Sequence, residues 1–392
     1  MTSPVSKNLF LLFHGRFPSE KAASLFVAKS CEAFAGKGMQ VTLLVPRRIG
    51  RSKEDARTYY RLQHHFDVVF LPTLDLSSLL PFKKITFLID FIFFSLRGFL
   101  FLSVHAKSRD VIYSNETLPL LLASFRFPRT FFELHDFPEQ HLWLHHTLLR
   151  RCKWILVHKQ WKVDDLSRLF SLDPSKIMYR PNAVDMALFD VSTTTAEARS
   201  ALQLPLDRRT IVYTGSLFGW KGVDTLAQAA RNLGEAYNVV FVGGNGTDRE
   251  QFRARYGAIP NITIVGYRPY AEIPLWQKAA DVLVLPNTGK EEISRLYTSP
   301  MKLFEYMASR RPIVASDIPS VTEIANTSNA VLAEPDNPEA LAKAIKDIFV
   351  DPCRANLLAQ KAFQDVGAYT WEKRASAIIA FMYGEPSSAV SL

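Results

Sequence analysis

What most constrains this chain is a rhythm: short, apolar, β-rich runs recur along its 392 residues, each followed by a stretch of helical periodicity. Runs alternating with such patterns mark βαβ units, in which a helix carries the chain back over the sheet and the strands lie parallel. In the first half the runs fall at 9–13, 40–45, 67–71, 110–113, 130–134 and 154–158. In the second they fall at 210–213, 238–242, 262–265, 282–285 and 312–315. Two such series predict an α/β chain of two doubly wound, Rossmann-like domains. The length suits two cores at the usual ~100–200 residues each. RPNAVDMALFD (180–190) leads into a Thr/Ala-rich linker at 191–198, which divides the chain into domains at 1–190 and 191–365. The remaining 366–392 opens with a helical pattern, apolar at Trp371, Ala375, Ile378, Ile379 and Met382, and is expected to cross back to the first domain.

Composition narrows the function classes. At 48% hydrophobic and 22% charged residues, the chain is a folded globular protein rather than a disordered one. Cys31, Cys152 and Cys353 stand far apart, which argues against a disulfide framework or zinc ribbon and for a reducing, cytoplasmic setting. The net charge of +9 is uneven: residues 1–190 hold 26 Lys and Arg against 17 Asp and Glu, while 191–392 hold 21 against 21. A basic first half suits an anionic membrane surface or a phosphate-bearing acceptor. No basic run interleaved with aromatics points to nucleic acid. The opening apolar run is too short for a signal peptide. At 85–104 an apolar stretch has the length of a membrane span, but Asp90 and Arg97 inside it argue against one. It reads as a buried helix of the first domain, or as an interfacial helix beside Lys83, Lys84 and Lys107, peripheral at the inner face of a membrane.

Three motifs carry chemistry. IVYTGSLFGWKGVDTL (211–226) is a strand, a turn at Gly215 and a lone Lys221 before a helix, which puts a cation at the carboxyl edge of a parallel sheet. NVVFVGGNG (238–246) runs a strand into Gly243, Gly244 and Gly246, where missing Cβ atoms let a diphosphate or a helix come close. It lacks the third glycine of GxGxxG, and no GxxxxGK[ST] occurs, so neither a nicotinamide site nor a P-loop is indicated. TSPMKLFEYMA (298–308) would place Ser299, Pro300, Met301 and Lys302 at a turn and helix start, offering backbone N–H groups and an ammonium to a diphosphate. Glu305 falls one turn later on the same face, where its carboxylate could accept both ribose hydroxyls. No two aspartates are spaced as DxD, so no metal site for a diphosphate is expected, and basic groups and helix N-termini must balance the leaving charge instead, which fits Lys221, Lys302 and Arg16. His141, His145 and His146 include an i, i+4 pair without the glutamate of HExxH and are not expected to bind metal.

The order of these motifs is similar to that in retaining glycosyltransferases of family 4. It runs from the Lys221 turn and GGNG through VGYRPYAEIPLWQKAADVLVLPN (265–287) and SPMKLFEYMASRRPIVASDIPSVTEI (299–324) to YTWEKRA (369–375). In the first half the resemblance is looser, resting on FLLFHGRFPS (10–19), KGMQVTLLVP (37–46), ELHDFP (133–138) and MYRPNAVD (178–185). It implies the two-domain GT-B fold, a UDP-, GDP- or ADP-sugar donor, retention at the anomeric carbon, and no metal or other cofactor. It further implies that Lys221 and the 299–302 turn hold the diphosphate, that Glu305 holds the ribose, and that Gly266, Tyr267 and Arg268 lie beside the base. Gly15 and Arg16 would form a loop under the phosphates, and His135 would stand at the reacting sugar. Two positions depart from the family pattern. Ser216 takes the place of an arginine after the first glycine, and Tyr297 takes that of the first of two glutamates, with Glu291 and Glu292 a few residues earlier.

The function expected is transfer of a sugar from a UDP- or GDP-sugar to a hydroxyl on a glycan or lipid-linked acceptor, in surface polysaccharide or glycolipid assembly. His135 and Glu305 are the residues expected at the chemistry. A nucleotide-sugar epimerase of the same fold and a non-catalytic nucleotide-sugar binder are the alternatives.

Overall fold

The structure is a computed structural model that describes residues 7–50, 52, 54–76, 82–138 and 141–384. The chain forms two compact units. One comprises residues 1–181 and 371–392, the other residues 182–370. The first unit therefore ends before the boundary expected at 190. The intervening residues Val184 and Phe189, each 1% exposed, are sealed into the core of the second unit.

The first unit holds seven strands: β1 (Asn8–Leu12), β2 (Gln40–Pro46), β3 (Asp67–Leu71), β4 (Val111–Ser114), β5 (Thr130–Leu134), β6 (Trp154–Val157) and β7 (Ile177–Tyr179). They pair in parallel in the order β3-β2-β1-β4-β5-β6-β7. The second unit holds β8 (Arg209–Thr214), β9 (Tyr237–Val242), β10 (Ile262–Gly266), β11 (Val282–Leu285), β12 (Ile313–Ser316) and β13 (Val331–Ala333). Their order is β10-β9-β8-β11-β12-β13, again parallel throughout. Each sheet reverses its winding once, beside its first strand, and that switch opens a crevice at the carboxyl ends of β1 and β4 in one unit and of β8 and β11 in the other.

Strand composition follows from burial on both faces. Every residue of β9 and β11 is buried. Period-two alternation sends Val212, Val240 and Leu283 to one face of the second sheet and Ile211, Val239, Phe241 and Val282 to the other. Helices cover both faces of this sheet, among them Val223–Leu233 and Pro338–Val350 on one and Met301–Ala308 and Pro352–Val366 on the other. Strands β7 and β13, three residues each, are additions to the sequence reading; they close the sheets at one edge.

The helix Trp371–Tyr383 packs in the first unit against the helix Ala22–Gly36, with the Phe26 and Trp371 rings 5.4 Å apart. The helix Lys83–His105 contains the apolar stretch and is not the buried helix its composition suggested. Its buried stripe reads Thr86, Asp90, Phe94, Gly98 and Leu102, whereas Ile85, Leu88, Ile92, Leu96, Leu100 and Val104 face outward. The reason is specific. Asp90 takes the Leu76 backbone N–H at 3.0 Å and lies 4.0 Å from the Arg48 guanidinium, and Gly98 admits the Leu12 side chain so closely that a Cβ would lie 2.7 Å from it.

Candidate functional site

In the second unit the chemistry gathers at the switch point. Gly215 follows β8 with φ +131°, a conformation open to glycine alone, and a Cβ there would lie 2.6 Å from the Lys302 ammonium. Gly222, two turns of chain later with φ +72°, is pressed so tightly to the Pro286 carbonyl after β11 that a Cβ would fall 1.7 Å from its oxygen. The two loops are thus locked together, with the Thr288 N–H donating to the Trp220 carbonyl at 3.4 Å. Lys221 lies between them, half-buried, its ammonium 3.6 Å from the centre of the Trp220 ring. Burial pulls its pKa down to about 7.

Lys302 is the second residue of the Met301–Ala308 helix, whose N-cap Pro300 supplies no capping side chain. Its ammonium sits 3.9 Å from the centre of the Tyr213 ring and has no hydrogen-bond partner among the described residues. Burial, and then the nearby Lys221 charge, hold its pKa well below the ordinary lysine range. Neither lysine forms an ion pair among the described residues. Glu305, one turn on, is buried beside Tyr270, whose hydroxyl shares a hydrogen bond with it. Burial raises its pKa to about 7 against the pull of Lys302. The same helix is pinned to the end of β8, because the Thr214 N–H donates to the Tyr306 hydroxyl at 2.9 Å. The Lys221 ammonium, together with the Lys302 ammonium, uncapped start and half-protonated Glu305 carboxyl of one short helix, makes a place for a polyanion with a hydroxylated neighbour.

The flanking candidates are spread around this point. Ser299 is half-buried and its carbonyl accepts from the Asn182 amide at 2.5 Å. Met301 is half-buried, and the Ser216 carbonyl accepts the Tyr213 hydroxyl at 2.7 Å. Gly244 packs on Leu217. Gly266 ends β10 with φ +83°, and the Arg249 guanidinium fills the space a side chain would take. Tyr267 is exposed and Arg268 half-buried beyond it, Arg268 donating to the Tyr267 carbonyl at 3.2 Å. Tyr297 closes a π-helical turn, Ile293–Tyr297, and its hydroxyl donates to Glu292 at 3.4 Å. Glu291 and Glu292 are both exposed, and Glu292 is further engaged by Arg295 at 3.8 Å.

In the first unit, His135 follows β5 and its carbonyl accepts the Lys162 ammonium at 2.6 Å. Its Nε2 lies 3.8 Å from Glu133, which is wholly buried. Glu133 is the hub of a network absent from the sequence reading: Arg374 and the Tyr113 hydroxyl both donate to it, and His158 Nε2 lies 2.9 Å away. Opposing its burial, the Arg374 charge and His158 hold Glu133 well below the usual carboxylate range. His158 falls to about 3 and His135 is also lowered, each chiefly by burial, so both imidazoles are neutral at pH 7. Donor atoms of Glu133, His135 and His158 lie within 4.8 Å of one another, as close as metal ligands. The fit to a metal is poor, because the Arg374 cation already occupies the Glu133 carboxylate and would repel a second one. His145, from the histidine trio, instead meets the Thr117 hydroxyl at 3.2 Å.

Gly15 and Arg16 lie on the loop after β1, at the first sheet's switch point. Arg16 is exposed, reaching the Ile49 carbonyl at 3.5 Å. The buried neighbour His14 donates its backbone N–H to Glu116 at 2.7 Å, and its ring meets Arg48 at 2.8 Å. Burial raises Glu116 to about 8, so at pH 7 it is largely a neutral acid under the loop. Glu133 was within reach of sequence reasoning, two residues from His135 on the same strand face. Arg374, 241 residues away, was not.

Residues 208–351 match the family model described as Glycosyl transferases group 1. Among curated proteins, D-inositol 3-phosphate glycosyltransferase of Corynebacterium urealyticum is 24% identical over 268 residues, 64% of this chain and 62% of that protein. A putative teichuronic acid biosynthesis glycosyltransferase, TuaC of Bacillus subtilis, is 28% identical over 46% of this chain and 43% of its own length. The alignments thus span about half the length of these relatives. Whole-chain likeness is found among solved structures. Sucrose-phosphate synthase from Thermosynechococcus elongatus has a TM-score of 0.76 at 20% identity, covering 97% of this chain and 100% of that one. Anabaena Alr3699/HepE, in complex with UDP and glucose, has 0.72 at 18%, covering 97% and 99%. The chain therefore has the GT-B fold of two Rossmann-like units, and its residues 208–351 carry the sequence pattern of group 1 glycosyltransferases.

Proposed function

We propose that this protein transfers a sugar from a nucleotide diphosphate sugar to an acceptor hydroxyl, with retention and without a metal ion, in the assembly of a polysaccharide or glycolipid on the cytoplasmic side of a membrane. The observation that carries the reading is the buried Lys302 ammonium. It has no hydrogen-bond partner among the described residues, faces Gly215, and stands beside a second lysine at the carboxyl edge of the sheet. A buried cation without an anion is expensive unless a ligand supplies the charge. A diphosphate does so, and in the relative from Anabaena UDP is the bound nucleotide.

In the proposed reaction the bond between the anomeric carbon and the diphosphate oxygen breaks as the acceptor oxygen bonds the same face of that carbon. The acceptor proton passes to the departing diphosphate. Lys221, Lys302 and the Met301–Ala308 helix start stabilise the charge that develops there, work that needs placed dipoles and cations more than a strong base. Glu305 takes the ribose hydroxyls, and the neutral His135 donates to the transferred sugar.

Calorimetric titration with UDP, GDP, ADP and their nucleosides tests the reading. Lys302→Ala and Lys221→Ala should each weaken the preferred diphosphate by ~10–100-fold, the worth of a charge-assisted hydrogen bond, and leave the nucleoside nearly unchanged. Equal losses for both ligands would remove the diphosphate assignment. Turnover of the preferred donor should survive EDTA, with the product anomer matching the donor by NMR.

A further inference from the structure

We infer that the exposed face of the Lys83–His105 helix is a docking surface for an anionic lipid bilayer, with the helix lying in the plane of the interface. The helix is inside-out for a protein surrounded only by water. The stripe at Ile85, Leu88, Ile92, Leu96, Leu100 and Val104 recurs at helical spacing, and each of these residues is at least 42% exposed. Phe82 at 69% and Phe87 at 51% extend it at one end. A contiguous apolar stripe of six turns on a monomer surface calls for a partner.

By length and composition the helix could cross a membrane. Its other stripe rules that orientation out. Asp90 is 1% exposed and held by the Leu76 N–H and Arg48, and Gly98 is closed against Leu12 of the central strand β1. A helix bound along one whole side to a soluble sheet can offer lipid only its other side.

Charge selects the bilayer over a second copy of this chain. Asp90, the helix's one acid, is buried, while Lys83, Lys84 and Arg97 are exposed and Lys107 and Arg109 follow just beyond its end. Two such faces brought together would oppose cation to cation. An anionic headgroup layer meets the cations, and the apolar stripe enters the acyl boundary. The face is also wired to the loop of Gly15 and Arg16. The His14 ring packs 5.2 Å from Phe87, 5.0 Å from Phe91 and 5.3 Å from Phe94, and Arg48 bridges His14 to Asp90. Docking would therefore hold that loop at the bilayer surface, where a lipid-borne hydroxyl is presented.

Sedimentation of the full chain with phosphatidylcholine vesicles, with and without phosphatidylglycerol, tests the inference. The chain should sediment with the anionic vesicles and be released as salt rises. The triple variant Leu88→Gln/Leu96→Gln/Leu100→Gln keeps good helix formers and should lose at least about tenfold in partitioning. Its UDP-induced thermal shift should match the parent's, which reports an intact fold and keeps this outcome separate from the transferase reading. Failure of the parent to sediment at low salt, or undiminished binding by the triple variant, would overturn the inference. So would a dimer, seen by light scattering, that the triple variant dissolves.

Discussion

At the scale of single residues, the candidate donor site stores its recognition in protonation states. Lys221 has a pKa pulled to about 7 by burial, and Lys302 is pulled below the ordinary lysine range. A bound diphosphate favours the charged form of each. The sign follows: below pH 7 Lys221 is already protonated and binding takes up no proton through it, whereas above pH 7 the free site is neutral there and the complex must acquire one. Affinity for the diphosphate should then fall by up to about tenfold per pH unit above 7, until the raised pKa of the complex is reached. Titrations at pH 8 in buffers of different ionisation enthalpy should show net proton uptake for the diphosphate and none for the nucleoside; a flat profile would show that the lysines stay charged without ligand. The two lysines and Glu305 were legible in the sequence because a strand, glycine turn and helix start fix where such residues must fall. The tyrosines that seat them, Tyr213 and Tyr270, carry no such local signal, and it is the fold that brings them to the ammonium and the carboxyl.

At the scale of elements, the loops after the strands decide the geometry, and glycine conformation decides the loops. Gly215→Ala should be costly for two separable reasons: φ +131° is closed to alanine, and the new methyl would displace the Lys302 ammonium from 2.6 Å. The expected loss of stability is ~1–3 kcal/mol, read by thermal denaturation. Diphosphate binding should weaken alongside it, whereas Gly38→Ala, also at positive φ but with nothing within 4 Å, should lose stability alone. If both variants bind the diphosphate like the parent, the close approach of Gly215 to Lys302 has no functional weight. Strand positions were legible from apolar runs wherever a strand is buried on both faces. Strands β7 and β13 escaped because three residues carry no periodicity. The Lys83–His105 helix was legible in length, but which side it buries depends on Arg48 and Leu12, partners that its own sequence does not contain.

At the scale of the molecule, the chain leaves its first unit after residue 181 and returns to it at 371, so that unit is built from two separated segments while the second is continuous. The returning helix is structural as much as connective. Trp371, Arg374, Ile378 and Met382 are all buried, and Arg374 supplies the cation that keeps Glu133 ionised in the interior. Removal of residues 371–392 would leave Glu133 buried opposite neutral imidazoles, its charge compensated by the Tyr113 hydroxyl and His158 alone. Stripping one partner from a buried ion pair costs ~3–5 kcal/mol, and the exposed apolar surface of Phe26 adds to it. Because Glu133 is held below its unfolded pKa, the stability it contributes is present above pH ~4.5 and lost as pH falls, so the deletion should weaken the first unit most at neutral pH. Hydrogen exchange read by mass spectrometry, peptide by peptide, separates the two units. Peptides from β4, β5 and β6 should lose protection in the chain ending at residue 370, peptides from β8, β9 and β11 should keep theirs, and UDP should still raise protection around Gly215 and Lys302. Uniform loss over both sheets would mean that the returning helix supports the whole chain and that the second unit's continuity gives it no independence.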